Sequence, residues 1–135
     1  MRTNFSKVEV RKEFERAEKA LRAAQILLKD DLLEDAISRA YYAILHAAKA
    51  VLLVENINVE SHRAVKRLLG QHLIQTGRID AKYSRILAEE QDDRYLADYD
   101  VIFSPERERV QQRVEDAVVF LNAMKSYLEK HGITL

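Results

Sequence analysis

The chain of 135 residues contains no cysteine, which excludes disulfide bonds and metal sites built on thiolates. Its 22 Lys and Arg residues balance its 22 Asp and Glu residues, which argues against non-specific nucleic-acid binding through bulk charge but allows a local basic strip. Linkers rich in proline, glycine and serine, internal repeats and low-complexity tracts are also missing. We therefore expect one domain over residues 1–135 with a single core.

Uninterrupted apolar runs are short in this chain. Arg39, His46 and Lys49 interrupt the most apolar stretch, so we expect no membrane span. The first 16 residues are charged throughout and lack the apolar region of a signal peptide. These features predict a soluble, cytoplasmic protein that does not act in a membrane.

Apolar residues recur at gaps of three and four along most of the chain. This spacing predicts an all-α protein, an antiparallel bundle of about five helices. The first helix should start near Ser6, which forms a capping-box pattern with Glu9. The second should cover residues 32–54, after a break at Asp30 and Asp31.

Three further helices follow a loop at residues 55–60. The third should begin with Ser61 as N-cap and end before Gly77. The fourth should run from about residue 80 to near residue 99. The fifth should start at Ser104, Pro105 and Glu106, read as a cap, a proline in the first position and an acid in the first turn, and should end around residues 131–132.

A narrow polar stripe crosses the otherwise apolar second helix. Its members follow one another at gaps of four, three, four and three, so they line one edge of the helix: Asp35, Arg39, Tyr42, His46 and Lys49. Buried charge is costly unless it is paired or lines a wet cleft. We therefore expect the stripe to face a groove or a partner, and we take its last four members as candidate nucleotide- or RNA-binding residues, with Tyr42 placed to stack on a base.

Simpler roles exist for two members of this stripe. Arg39 could pair with Asp35 one turn away. His46 could be a hydrogen-bonded histidine at a helix interface.

The third helix is locally basic, because residues 61–79 contain no acid. Its candidate phosphate-binding residues are His62, Arg63, Lys66 and Arg67. The alternative is a solvated face beside an acidic neighbour, with His62 in a capping or surface role.

An acidic run occupies the fourth helix at Glu89, Glu90, Asp92 and Asp93. Consecutive carboxylates on a helix point in different directions, so we expect neither a metal site nor a cofactor there.

Four segments together resemble one known family. They are SRAYYAILHAAKAVLL in the second helix, SHRAVKRLL and TGRI in the third, and RYLADY at the end of the fourth. In order and spacing they resemble HEPN-domain proteins, specifically the small stand-alone branch often encoded beside minimal nucleotidyltransferases. The resemblance covers about Phe5 to Tyr127.

This resemblance implies a helical bundle that pairs as a homodimer. Many members are metal-independent ribonucleases, and several are toxins of toxin–antitoxin modules. The family signature is an Arg, four to six residues, then a His near the end of the fourth helix, and two copies meet in the dimer cleft. The Arg stabilises charge on the phosphate and the His transfers protons.

This chain departs from the signature at the histidine. The family Arg matches Arg94, but Tyr99 stands where the four-residue form of the signature has His. A tyrosine is a poor base at neutral pH, although it can donate a hydrogen bond to a phosphate. Asp98 could form an ion pair with Arg94 within the helix. Arg39 and His46 match the signature literally, but they lie on the second helix and do not carry the assignment.

The resemblance therefore implies a HEPN component of a toxin–antitoxin-like or nucleotidyltransferase-associated two-protein system. Its dimer groove would bind a nucleotide, RNA phosphate or the partner protein. The alternative is an active metal-independent endoribonuclease toxin that uses Arg94 with Asp98 and Tyr99. A structural bundle without a ligand is the third possibility.

Overall fold

A computed structural model describes residues 6–135; residues 1–5, including Phe5 where the family resemblance begins, lie outside the described residues. Within the described part the chain forms five α-helices and no strand. The helices are α1 (Lys7–Lys29), α2 (Leu33–Val54), α3 (His62–Leu69), α4 (Lys82–Tyr99) and α5 (Arg107–Lys130). The all-α bundle predicted from the apolar spacing is confirmed.

Helix α2 is the central element and packs against each of the other four helices. It is long and apolar enough to cross a membrane by length and composition, contrary to the expectation drawn from its charged positions. In the structure 67% of its most apolar stretch is buried, and its partners are the surrounding helices. Helix α2 therefore serves as the core helix of the bundle.

Two predicted helix starts rest on serine caps that the structure contains. The Ser6 hydroxyl accepts a hydrogen bond from the backbone N–H of Glu9 at 3.4 Å. The Ser61 hydroxyl accepts one from the N–H of Ala64 at 3.2 Å. Each satisfies a backbone donor that has no partner within its own helix. Ser6 and Ser61 thus fix where α1 and α3 begin, as predicted.

The predicted start of α5 is wrong by two residues. The carbonyl of Glu106 accepts the hydrogen bond from the N–H of Val110 at 3.2 Å, so the helix begins only after Glu106. Glu106 is the N-cap, without a side-chain capping bond, and Pro105 is buried just before the helix. The third helical segment also differs in detail, because α3 ends at Leu69 and residues 70–74 continue as a π-helical turn.

Helix α4 is attached to the bundle largely through polar groups. Its buried residues are Leu87, Glu90 and Asp93, so only one of them is apolar. Asp93 accepts hydrogen bonds from Arg109 at 3.0 Å and from Arg113 at 2.7 Å, both on α5. The acidic run of α4 therefore faces cations of α5.

Candidate functional site

Arg94 lies near the end of α4, where that helix packs on α2. Its Nη2 donates a hydrogen bond to the Tyr42 hydroxyl at 3.0 Å. Its Cζ lies 5.4 Å from the ring centroid of Tyr41 and 5.6 Å from that of Tyr42, within cation–π range. Burial alone lowers the pKa of Arg94, but Tyr42 and Asp98 outweigh it and raise the pKa. The guanidinium is therefore a fixed cation against two tyrosines.

The other two candidate catalytic residues flank Arg94 in different ways. Asp98 Oδ2 lies 2.9 Å from Arg94 Nε, which forms the predicted ion pair within the helix, although this N–H does not align as a hydrogen bond. Asp98 Oδ1 also accepts a hydrogen bond from the Ser38 hydroxyl. The Tyr99 side chain is 64% exposed, and its ring centroid lies 5.8 Å from Arg94 Cζ. Asp98 is thus held in place, whereas Tyr99 lies at the open edge.

The C-terminal half of the polar stripe is paired with α1. His46 Nδ1 lies 3.3 Å from Glu13 Oε2, and Lys49 Nζ lies 3.2 Å from Glu13 Oε1. Burial on its own raises the pKa of Glu13, but the hydrogen bond with His46 and the charge of Lys49 outweigh it, so the pKa is lowered. The sequence analysis missed Glu13, although its place beside the core residue Phe14 was an available signal.

The N-terminal half of the stripe lines an open cleft between α1 and α2. A cavity of about 480 Å³ lies there. It is lined by Arg16, Lys19, Ala20, Ala23, Arg39, Tyr42 and His46. A neighbouring cavity of about 380 Å³ shares Arg39 and Tyr42 with it and extends to Asp98. We call the two cavities together the Arg94 cleft, because Tyr42 binds Arg94 at their junction.

Arg39 is exposed in this cleft and forms no ion pair with Asp35 or with any other acid of residues 6–135. The alternative in which Arg39 pairs with Asp35 is therefore wrong in this structure. Arg16 and Lys19 of α1 are likewise exposed and without an acid partner over the same range. The sequence analysis missed both. Their spacing of three on α1, next to the small residues Ala20 and Ala23, was the available signal.

His62 at the start of α3 lies beside the same tyrosines. Its ring centroid is 5.9 Å from that of Tyr42 and 6.1 Å from that of Tyr41. Ser61 caps α3, so the capping role considered for His62 is wrong. Partial burial, followed by the charges of Arg94, Lys49 and His46, lowers the pKa of His62. An exposed neutral imidazole therefore lies close to the Arg94 guanidinium.

The remaining basic residues of α3 point elsewhere. Arg63, Lys66 and Arg67 are exposed and line neither cavity of the Arg94 cleft. Of the predicted binding residues, the structure thus brings together Arg39, Tyr42 and His62 with Arg94. His46 and Lys49 lie on the α1 side of the same surface, bound to Glu13.

Residues 10–127 match the HEPN domain family. The chain belongs to the HEPN family. A protein of Methanocaldococcus jannaschii named "Putative toxin MJ0605" is 36% identical over 122 residues, which cover 90% of either chain. A second protein of that organism, "Putative toxin MJ0142", is 32% identical over 94% of this chain and 86% of its own. "UPF0332 protein PH1297" of Pyrococcus horikoshii is 40% identical over 65% of this HEPN chain and 62% of its own.

Proposed function

We propose that this HEPN protein is the toxin-like component of a two-protein system and that its Arg94 cleft binds the phosphates of single-stranded RNA. Two relatives that match most of the chain carry toxin in their names. The observation that carries RNA binding is the Arg94 guanidinium, held by Tyr42 at the junction of two open cavities. Guanidinium is a planar fork of donors that suits phosphate oxygens.

The distribution of cations in the cleft favours a strand over a single nucleotide. Arg16, Lys19 and Arg39 follow one another along the cleft on two helices, and none is neutralised by an acid of residues 6–135. Successive cations match successive phosphates of a backbone. Tyr42 offers an aromatic face beside them for a base.

The binding test is fluorescence anisotropy with a labelled single-stranded RNA of about 12 nucleotides, titrated at several salt concentrations in chelator. The Arg16→Ala/Arg39→Ala variant should bind more weakly. Its log–log salt slope should be shallower by about 1.4, because each lost phosphate contact on a single strand removes about 0.7. The matched control is Arg85→Ala, an exposed α4 cation, which should leave the slope unchanged. An equal slope in the double variant and the native protein contradicts the proposed site.

The α3 strip is a separate arm of this experiment. Replacing Arg63, Lys66 and Arg67 with Ala together should also flatten the salt slope if the strand continues from His62 along α3. A slope equal to that of the native protein confines the binding site to the Arg94 cleft.

The proposed system has two protein partners, a second copy of the chain and a small nucleotidyltransferase, as the family resemblance implies. Support for the second copy comes from exposed apolar side chains at the end of α4. They are Tyr95, Tyr99, Val101 and Ile102, between 62% and 100% exposed. A nucleotidyltransferase encoded beside this chain should co-purify with it on co-expression.

Metal-independent endoribonuclease activity is the second candidate function. The observation in its favour is that Arg94 contacts both Asp98 and the Tyr99 ring. If Asp98 and Tyr99 transfer the protons, Asp98→Asn and Tyr99→Phe should each abolish cleavage in chelator while RNA binding persists. In that version of the mechanism Tyr99→His should raise the cleavage rate, since it restores the family pair.

A further inference from the structure

An imidazole lies beside Arg94 although α4 lacks the signature histidine. Arg94 and His62 both lie against the Tyr41–Tyr42 pair. The Arg94 Cζ is 5.4 Å and 5.6 Å from the centroids of these two rings, and the His62 ring is 6.1 Å and 5.9 Å from them. Two residues that are 32 positions apart in the chain thus share one aromatic platform.

The other polar groups on this platform are already engaged. His46 and Lys49 are bound to Glu13. The Tyr42 hydroxyl accepts the hydrogen bond of Arg94. His62 has no hydrogen-bond partner among residues 6–135, and it is exposed to a ligand in the cleft. It is therefore the imidazole of this surface that is free to take up a proton.

The charges around His62 keep it in the basic form. Those that act on it from α2 and α4 are Lys49, His46 and Arg94, all cations or potential cations, and the uncharged phenols of Tyr41 and Tyr42 face it as well. On its own helix Arg63 follows directly. Burial and these charges lower the pKa of His62, so the ring is neutral at pH 7.

We infer that His62 is the catalytic base for cleavage of RNA held by Arg94, in place of the histidine missing from α4. This inference rests on the proposed RNA binding. The imidazole takes the proton of a ribose 2′-hydroxyl, whose oxygen forms a bond to the adjacent phosphorus. The bond from phosphorus to the 5′ oxygen breaks, and the leaving oxygen takes a proton from water. The products are a 2′,3′-cyclic phosphate and a 5′-hydroxyl, and His62 returns its proton to solvent.

Arg94 supplies the complementary part of this step. Negative charge develops on the phosphate oxygens as the 2′ oxygen attacks, and a fixed guanidinium stabilises it more in the transition state than in the bound RNA. No metal ion is needed for either role.

The test measures binding and cleavage separately on the full chain in chelator. The substrate is a single-stranded oligoribonucleotide, and an all-deoxy strand of the same sequence is the uncleavable control. His62→Ala should lower the cleavage rate at least about 100-fold, the lower range for a general base, with an RNA dissociation constant within about twofold of the native one. The matched control is His72→Ala, an exposed histidine in the π-helical turn, which should cleave at the native rate.

Two further measurements separate a base from a structural side chain. The native rate should fall at acid pH as His62 takes up a proton, and this limb should be missing from the residual activity of His62→Ala. Added imidazole should restore part of the cleavage by His62→Ala and should not affect Arg94→Ala, which lacks the phosphate anchor.

Each remaining outcome has a defined meaning. Native protein that binds RNA without cleaving it overturns the role of His62 and leaves the binding proposal in place. Cleavage that survives His62→Ala but is lost in Tyr99→Phe also overturns it and favours the Asp98–Tyr99 alternative. A native protein that does not bind the RNA overturns the proposed function itself, and the His62 inference with it.

Discussion

Replacing Glu90 with methionine should make the protein more stable. The Glu90 side chain is fully buried on α4, and neither carboxyl oxygen has a hydrogen-bond partner among residues 6–135. The nearest cation, Arg113, is already bound to Asp93 and lies 3.4 Å from Glu89. Burial, reinforced by neighbouring carboxylates, raises the pKa of Glu90 well above its usual value and outweighs Arg113.

The size of the effect follows from this lack of partners. A buried polar group without a hydrogen bond costs about 1–3 kcal/mol, and methionine has a similar volume without that cost. We expect Glu90→Met to raise the free energy of unfolding by about 1–3 kcal/mol at pH 7. For a chain of this length that is a rise in Tm of about 4–12 °C.

The pH dependence gives the sharper test. Because the folded state raises the pKa of Glu90, folding is favoured below the unfolded value near 4.5 and loses stability as the pH rises through the folded pKa. Methionine removes this loss, so the stability gain from Glu90→Met should be larger at pH 8 than at pH 4. Urea denaturation at the two pH values measures it.

The matched control is Glu89→Met, since the neighbouring Glu89 side chain is 45% exposed and its replacement should change stability by less than about 0.5 kcal/mol. A Glu90→Met protein that is less stable than the native one at pH 7, or a gain that is equal at pH 4 and pH 8, would refute the reasoning.

Two further predictions concern other surfaces. Glu13→Gln should lower the free energy of unfolding by about 1 kcal/mol at pH 7, because a partly exposed charged pair is lost; since the folded state lowers the pKa of Glu13, this deficit should shrink as the pH falls below 4.5, whereas Glu15→Gln on the exposed face of α1 should show no deficit in the same urea titrations. Light scattering should give a mass about twice 15.7 kDa for the native chain and a monomer for Ile102→Asp, with Val119→Asp on α5 as the control that stays dimeric; a native monomer at tens of micromolar protein contradicts the proposed pairing.

The positions of the helices could be predicted because they depend on local chemistry. Ser6 and Ser61 cap helices from their own side chains, and the gaps of three and four along α2 mark its buried faces. The start of α5 was predicted wrongly because Ser104 and Pro105 have the composition of a cap, while the first helical hydrogen bond is accepted two residues later, at Glu106.

The partners within the site could not be predicted, since they depend on how helices cross. The hydrogen bond from Arg94 to Tyr42 joins residues 52 positions apart, and periodicity gives the face of each helix but not its rotation against another. For the same reason the pairing of Glu13 with two members of the polar stripe was missed. The place of His62 beside Tyr42 depends on the direction of the loop before α3, which contains Asn56 in a left-handed conformation.

The weak apolar attachment of α4 affects how the cleft opens. Leu87 is its only fully buried apolar side chain, whereas α2 buries most of its length. Elements with few buried apolar contacts open locally at a smaller free-energy cost than the whole fold. Helix α4 can therefore detach while α1, α2 and α5 stay packed, and Arg94 leaves Tyr42 each time it does. RNA affinity then depends on the fraction of molecules with α4 docked, so a protein that covers the exposed end of α4 sets the activity of the cleft without touching it.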